Sequence, residues 1–216
     1  MSYVKEKITK SKRDGGLREN TIQRAKESVL IALLFLSLVY LFQLYPPEAK
    51  DWRLVFYPVA RNPLHPYEAR LFINPPWLSL LLLPFGFFSE MTSLAINATL
   101  SMLMMAFLVI RRGGSRTALI LTLTSLPVLS TLANGSVEWI IVIAFIVQNK
   151  WSVPLLLLKP QVGILAVLGW DSFWQKKALF VLWGGLISAL SFLIWGNWIP
   201  QLLGNLQYIQ NALNDN

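Results

Sequence analysis

Cysteine is absent from the chain, which excludes disulfides and thiolate metal sites and leaves the redox compartment unread. Histidine occurs once, at His65, so a histidine-cluster metal site or a histidine-rich proton relay is excluded too. Charge is also scarce: Asp, Glu, Lys and Arg make up 14% of the 216 residues, against roughly 25% in an ordinary soluble domain. Hydrophobic residues reach 55%, and the mean hydropathy is +0.51. This composition predicts an integral membrane protein of the all-α class, a polytopic helical bundle.

The formal net charge of +8 is unevenly spread. Lys5, Lys7, Lys10, Lys12, Arg13, Arg18, Arg24 and Lys26 all precede the first apolar run, against Glu6, Asp14, Glu19 and Glu27. Such a tail suits nucleic acid in other settings. Beside a membrane span it reads as a cytoplasmic N-terminus, residues 1–27, attracted to anionic headgroups. A secretory signal peptide is the competing reading, but the basic region is long and no small-x-small cleavage site follows the apolar run.

Residues 28–45 are long enough to cross a hydrocarbon core of about 30 Å, and Pro46 and Pro47 end that segment. The positive-inside rule then puts residues 46–91 outside the cytoplasm. Within them "PPWLSLLLLPFGFF" (75–88) is short and holds Pro84, which favours a re-entrant or interfacial helix over a span. With that choice 92–110 crosses inward and Arg111, Arg112 and Arg116 become cytoplasmic. Residues 117–133 cross outward to a break at Asn134 and Gly135, 137–148 return, and 178–195 make the last crossing to Trp195 and Trp198. About five full spans result. The domain plan is the tail 1–27, a membrane domain 28–198 with its loop 46–91, and a C-terminal interfacial helix 199–216, amphipathic through Leu202, Leu203, Leu206, Ile209 and Leu213.

Lys159 interrupts "WSVPLLLLKPQVGILAVLGW", and a lysine at the bilayer centre costs at least about 2.5 kcal/mol, so it is not expected to face lipid. A single crossing would leave Lys150 or the Lys176–Lys177 pair on the outer side. A hairpin of two half-helices with "KPQ" at its tip keeps those lysines cytoplasmic and carries Lys159 into the bundle.

The polar side chains divide between a structural and a chemical reading. Asp51, just after the first span, suits a general base on a hydroxyl, or a partner for Lys50 or Arg53. Arg53, Arg61 and Arg70 suit phosphate or lipid headgroups. His65, between Pro63 and Pro66, suits loop packing, and Asn74 with Pro75 and Pro76 suits a plain helix start. Lys159 calls for an anion, either a ligand's or, structurally, that of Glu138.

The order of these features is a basic start, one span, an Asp in the first outer loop, "FYPVARNPLHPY", "FINPPWLSLLLLPFG", a break at "NG" and a run interrupted by "KPQ". It resembles the GT-C superfamily of membrane glycosyltransferases, and within it the polyprenyl-phosphate-sugar-dependent mannosyl- and arabinosyltransferase-like proteins of glycosyltransferase family 87. The resemblance covers residues 28–198. It implies a GT-C-like bundle that moves a mannose-like sugar from a polyprenyl-phosphate carrier to an acceptor hydroxyl at the outer face, in a prokaryotic plasma membrane. Asp51 would be the general base. Lys159, with Arg61 or Arg70, would neutralise the phosphate leaving group, and Gln161, Tyr67, Asn74 and Asn134 would contact substrate. No metal or cofactor is required.

The sequence departs from the family in reading Asn134-Gly135-Ser136 where relatives commonly have Gly-Gln, and in being shorter. It therefore reads as a minimal enzyme, as a piece completed by a partner membrane subunit, or as a degenerate copy. The rival class is a non-catalytic subunit whose small residues in "WGGLISALSF" pack against partner helices. A transporter built on the broken "KPQ" segment is disfavoured by the lack of paired repeats.

Overall fold

The computed structural model describes residues 29, 32–33, 35–45, 47–149, 152–159 and 171–214, with backbone alone over 171–177. Among these residues every regular element is helical. The basic tail expected over 1–27 lies outside them, as do Gln161 and the rest of the "KPQ" tip beyond Lys159.

The first helix, α1, runs over Phe35–Leu44. After a break, a π-helical turn Trp52–Phe56 leads directly into α2, Tyr57–Arg61. A single 3-10 turn, Pro66–Glu68, precedes α3, Leu78–Leu82, which tightens into 3-10 geometry over Leu83–Phe87. The long α4 follows, Glu90–Arg111, its N-terminus capped by Ser89 accepting from the Thr92 amide. Then come α5 (Arg116–Leu123), α6 (Leu126–Asn134), α7 (Trp139–Val147), α8 (Val153–Leu156), α9 (Asp171–Trp195) and α10 (Ile199–Asn214).

By length and apolarity α4 and the 178–195 stretch of α9 can each cross a membrane. The pair α5 and α6, bent by 46° where Pro127 enters the first turn of α6, adds a third if it is one broken span. The crossing expected over 137–148 is instead the nine-residue α7, about 13 Å long at 1.5 Å per residue and too short to span alone. It ends where Gln148 takes a left-handed backbone at φ +48°.

The main core lies around residues 49–88 rather than among the long helices. Trp52, Val55, Phe56, Val59 and Ala60 recur at helical spacing and are all buried, forming one stripe against Phe72, Leu78, Leu82, Phe85, Leu94 and Ile140. Burying each large side chain of that stripe contributes roughly 1.5–3 kcal/mol. What the composition marks as a polar loop is a packed helical wedge. Gly86 lets it close, since a Cβ there would stand 2.3 Å from the Ala60 carbonyl oxygen, and Arg61 Nη1 donates to the Gly86 carbonyl at 2.9 Å.

Side-chain bonds fasten the rest to this wedge. The Pro63 carbonyl accepts from Ser79 Oγ at 2.7 Å and from Trp195 Nε1 at 2.9 Å, while Trp77 Nε1 reaches the Pro154 carbonyl at 3.0 Å. From α10, Asn205 Nδ2 donates to the carbonyls of Tyr67, Ala69 and Phe72 at 3.4, 3.1 and 3.0 Å. By contrast α9 exposes Val181, Leu182 and Leu193 by 69%, 67% and 81%, an apolar surface that none of the described residues covers.

Candidate functional site

Asp51 is not carried by the end of α1. Residues 50 and 51 open the helix that continues through the π-helical turn, and the preceding Ala49 is wholly buried in a left-handed conformation at φ +41°. The Ala49 amide donates to the Ala133 carbonyl near the end of α6 at 3.1 Å. That strap sets where Asp51 emerges, beside the turn that follows α6.

That turn is built to close tolerances. Gly135, at φ +70°, ends α6 in a Schellman arrangement: its amide donates to Leu132 O at 3.3 Å and the Ser136 amide to Thr131 O at 3.0 Å. A Cβ at residue 135 would lie 2.5 Å from Trp52 Cβ. The buried Asn97 of α4 holds the other side, donating from Nδ2 to the carbonyls of Gly135 and Ser136 at 3.2 Å each and accepting at Oδ1 from Trp139 Nε1 at 2.8 Å. Trp52 Nε1 donates to Ser93 Oγ at 3.3 Å, anchoring the wedge to α4.

On this frame stand the two groups of chemical interest. Ser136 Oγ donates to Asp51 Oδ2 at 2.6 Å, and Asp51 Oδ1 has no partner among the described residues. Two residues on, Glu138 Oε1 is ion-paired with Lys159 Nζ, each side chain a little over a quarter exposed. The α-carbons of Ser136 and Glu138 are at most about 7.6 Å apart, two trans peptide steps. One turn therefore bonds to the acid through its hydroxyl and to the cation through its carboxylate. Arg53, one turn along from Ala49, lies 2.9 Å from Glu90 Oε1 at Nε, without an aligned hydrogen bond from that nitrogen.

The remaining candidates do not join this cluster. Arg61 is committed to Gly86, some ten residues or roughly 15 Å along the helix from Asp51. Arg70 stacks its guanidinium on the Tyr208 ring, 5.6 Å from the centroid. Tyr67 is buried, donates to the Asn74 carbonyl at 3.1 Å and stacks on Trp198 at 6.3 Å, and burial pushes its phenol above the ordinary value. Asn74 contributes that carbonyl. Asn134 turns back along its own helix to Ser130 Oγ at 3.4 Å. Gln161 lies outside the described residues.

Sequence reasoning passed over Ser136 except as a departure from a pattern, and passed over Asn97 altogether. Asn97 could have been found, because the one amide side chain in a 22-residue helix whose interior holds otherwise only apolar and small hydroxyl residues demands partners. Ser136 could not: nothing local says that a serine after a helix break meets a residue 85 positions away. Compared with family models, curated proteins and solved structures, the chain matches none.

Proposed function

We propose that the protein is a membrane glycosyltransferase on a GT-C-like scaffold of about five spans, moving a mannose-like sugar from a polyprenyl-phosphate carrier to an acceptor hydroxyl at the outer face. The observation that supports this reading best is the attachment of Asp51 and Lys159 to the single turn Ser136–Glu138. In the reaction, the acceptor oxygen bonds to the sugar's anomeric carbon and its proton passes to the Asp51 carboxylate. The bond from that carbon to phosphate oxygen breaks, and the electron pair leaves with the polyprenyl phosphate. Lys159, exchanging Glu138 for this phosphate, stabilises the charge as it builds. Arg61 and Arg70, tied to Gly86 and Tyr208, have no part in the scheme.

The placement of charge along α4 is consistent with a site on one membrane face. The turn that bears the acid–lysine cluster is held by Asn97 in the N-terminal third of α4, about 21 Å by helical rise from exposed Arg111, with exposed Arg112 and Arg116 beyond it. The second reading, a non-catalytic subunit, draws on two facts: Lys159 already has its counter-ion, and α9 is apolar and left uncovered by the described residues. Incubating the purified protein with polyprenyl-phosphate mannose and membrane acceptors separates the two. Donor-dependent sugar transfer supports the enzyme, whereas no transfer together with stoichiometric co-purification of another membrane protein supports the subunit.

A further inference from the structure

Away from the acid–lysine cluster, the wedge and the C-terminal helix line two adjoining cavities that are open to the outside. One, of about 320 Å³, is walled by Leu54 and Pro58 on its apolar side and by Asn62, His65, Glu68 and Arg70 on its polar side. The other, of about 480 Å³, lies between His65, Tyr67 and Glu68 of the wedge and Gln201, Gly204 and Asn205 of α10. They share His65 and Glu68, and each falls within the roughly 300–1,000 Å³ of small-molecule sites.

The chemistry of the polar lining is specific. Asn205 is only 9% exposed, and its Nδ2 is committed to three wedge carbonyls. Its Oδ1, with no described partner, is left as an acceptor whose direction is fixed by those bonds. Glu68 is likewise held, accepting at Oε2 from Asn62 Nδ2 at 2.8 Å, with Oε1 unpartnered among the described residues. Gln201 and the His65 imidazole add a second amide and a group that can both donate and accept. Acceptors held in place by their own hydrogen bonds call for a ligand rich in hydroxyl donors. An anion is disfavoured by Glu68 in the shared wall, and the one arginine of the first cavity's lining, Arg70, is stacked on Tyr208. The apolar side, Leu54 and Pro58, suits the C–H face of a sugar ring.

We infer that this double cavity is a carbohydrate-binding site for a neutral saccharide. Its place as the seat of the acceptor's sugar rests on the glycosyltransferase reading; its binding of saccharide does not. Leu54 and Pro58 belong to the same helix as Asp51, which lies about 10 Å from Pro58 by helical rise, so the acceptor would be held one or two sugar units from the reacting hydroxyl.

The test is calorimetric titration of the full chain in nanodiscs, without donor, using mannobiose, inorganic phosphate and ethanolamine as separate probes. Gly204→Leu adds bulk to the lining of the second cavity at a position where a Cβ meets nothing within 4 Å, and Gln201→Ala removes one amide; Gln207→Ala, outside both linings, is the control. Mannobiose is expected to bind, at least tenfold more weakly to Gly204→Leu and several-fold more weakly to Gln201→Ala, with the control unchanged. No saccharide binding, binding unmoved by both variants in protein of unchanged helicity, or preference for phosphate or ethanolamine would overturn the inference. Saccharide binding without sugar transfer would leave this site standing and remove the enzyme reading.

Discussion

Asp51 and Ser136, 85 positions apart in the chain, meet at 2.6 Å, with the serine hydroxyl donating to the carboxylate. The contact exists because Ala49 is strapped to the end of α6 and Gly135 lets that end press on Trp52. Each of these supports gives a separate expectation.

Gly135→Ala forces a left-handed backbone on a residue with a Cβ and drives that Cβ against Trp52. The backbone alone costs roughly 1–2 kcal/mol, and the 2.5 Å contact adds to it because both atoms are close to main chain. The expected result is a loss of at least about 2 kcal/mol in reversible unfolding in detergent. A change below measurement error would mean that the turn relaxes freely.

Asn97→Leu removes one acceptor and one shared donor group at a buried site. It strands Trp139 Nε1 and the carbonyls of Gly135 and Ser136, and each stranded group costs roughly 1–3 kcal/mol. Asn97→Asp keeps the acceptor for Trp139 but turns two donations into carboxylate–carbonyl repulsion, so it is expected to be the worse of the two. Melting temperatures in the order wild type, Leu, Asp would bear this out, and Asp equal to wild type would contradict it.

Glu138→Gln and Lys159→Met each leave a partner uncompensated in a site a little over a quarter exposed. Singly they are expected to destabilise by about 1–3 kcal/mol, and together by less than their sum. A double-mutant cycle with no coupling would show the pair to be incidental.

Burial raises the Tyr67 phenol, so its neutral form is favoured in the folded state. The stability this contributes is complete below the ordinary tyrosine value of about 10 and falls as pH rises past it. Tyr67→Phe is expected to flatten the decline in melting temperature between about pH 9.5 and 11, while losing the bond to Asn74. An equal alkaline decline in both proteins would assign it to other groups.

The helical class and the apolar character of the long helices were legible because they follow from periodicity and composition, which are local. Residues 92–110 read as one segment, and the helix is Glu90–Arg111. Within 46–91 the short helix expected over 75–88 is present as Leu78–Phe87, but residues 50–61 read as loop because prolines and charges dominate that passage, whereas their Trp52-to-Ala60 stripe makes the core. Arg61 and Arg70 could not be read at all: a guanidinium's partner, Gly86 or Tyr208, is chosen by tertiary approach. Glu138 was legible as a partner for Lys159 because two lone opposite charges in apolar surroundings leave few options.

The central claim is that Asp51 takes a proton from the acceptor hydroxyl. Single-turnover sugar transfer from polyprenyl-phosphate mannose, compared between wild type and Asp51→Asn at matched folding and donor binding, tests it most directly. A fall of about 10²–10⁴-fold in rate with donor affinity unchanged is the predicted result, and transfer at the wild-type rate by Asp51→Asn would contradict it.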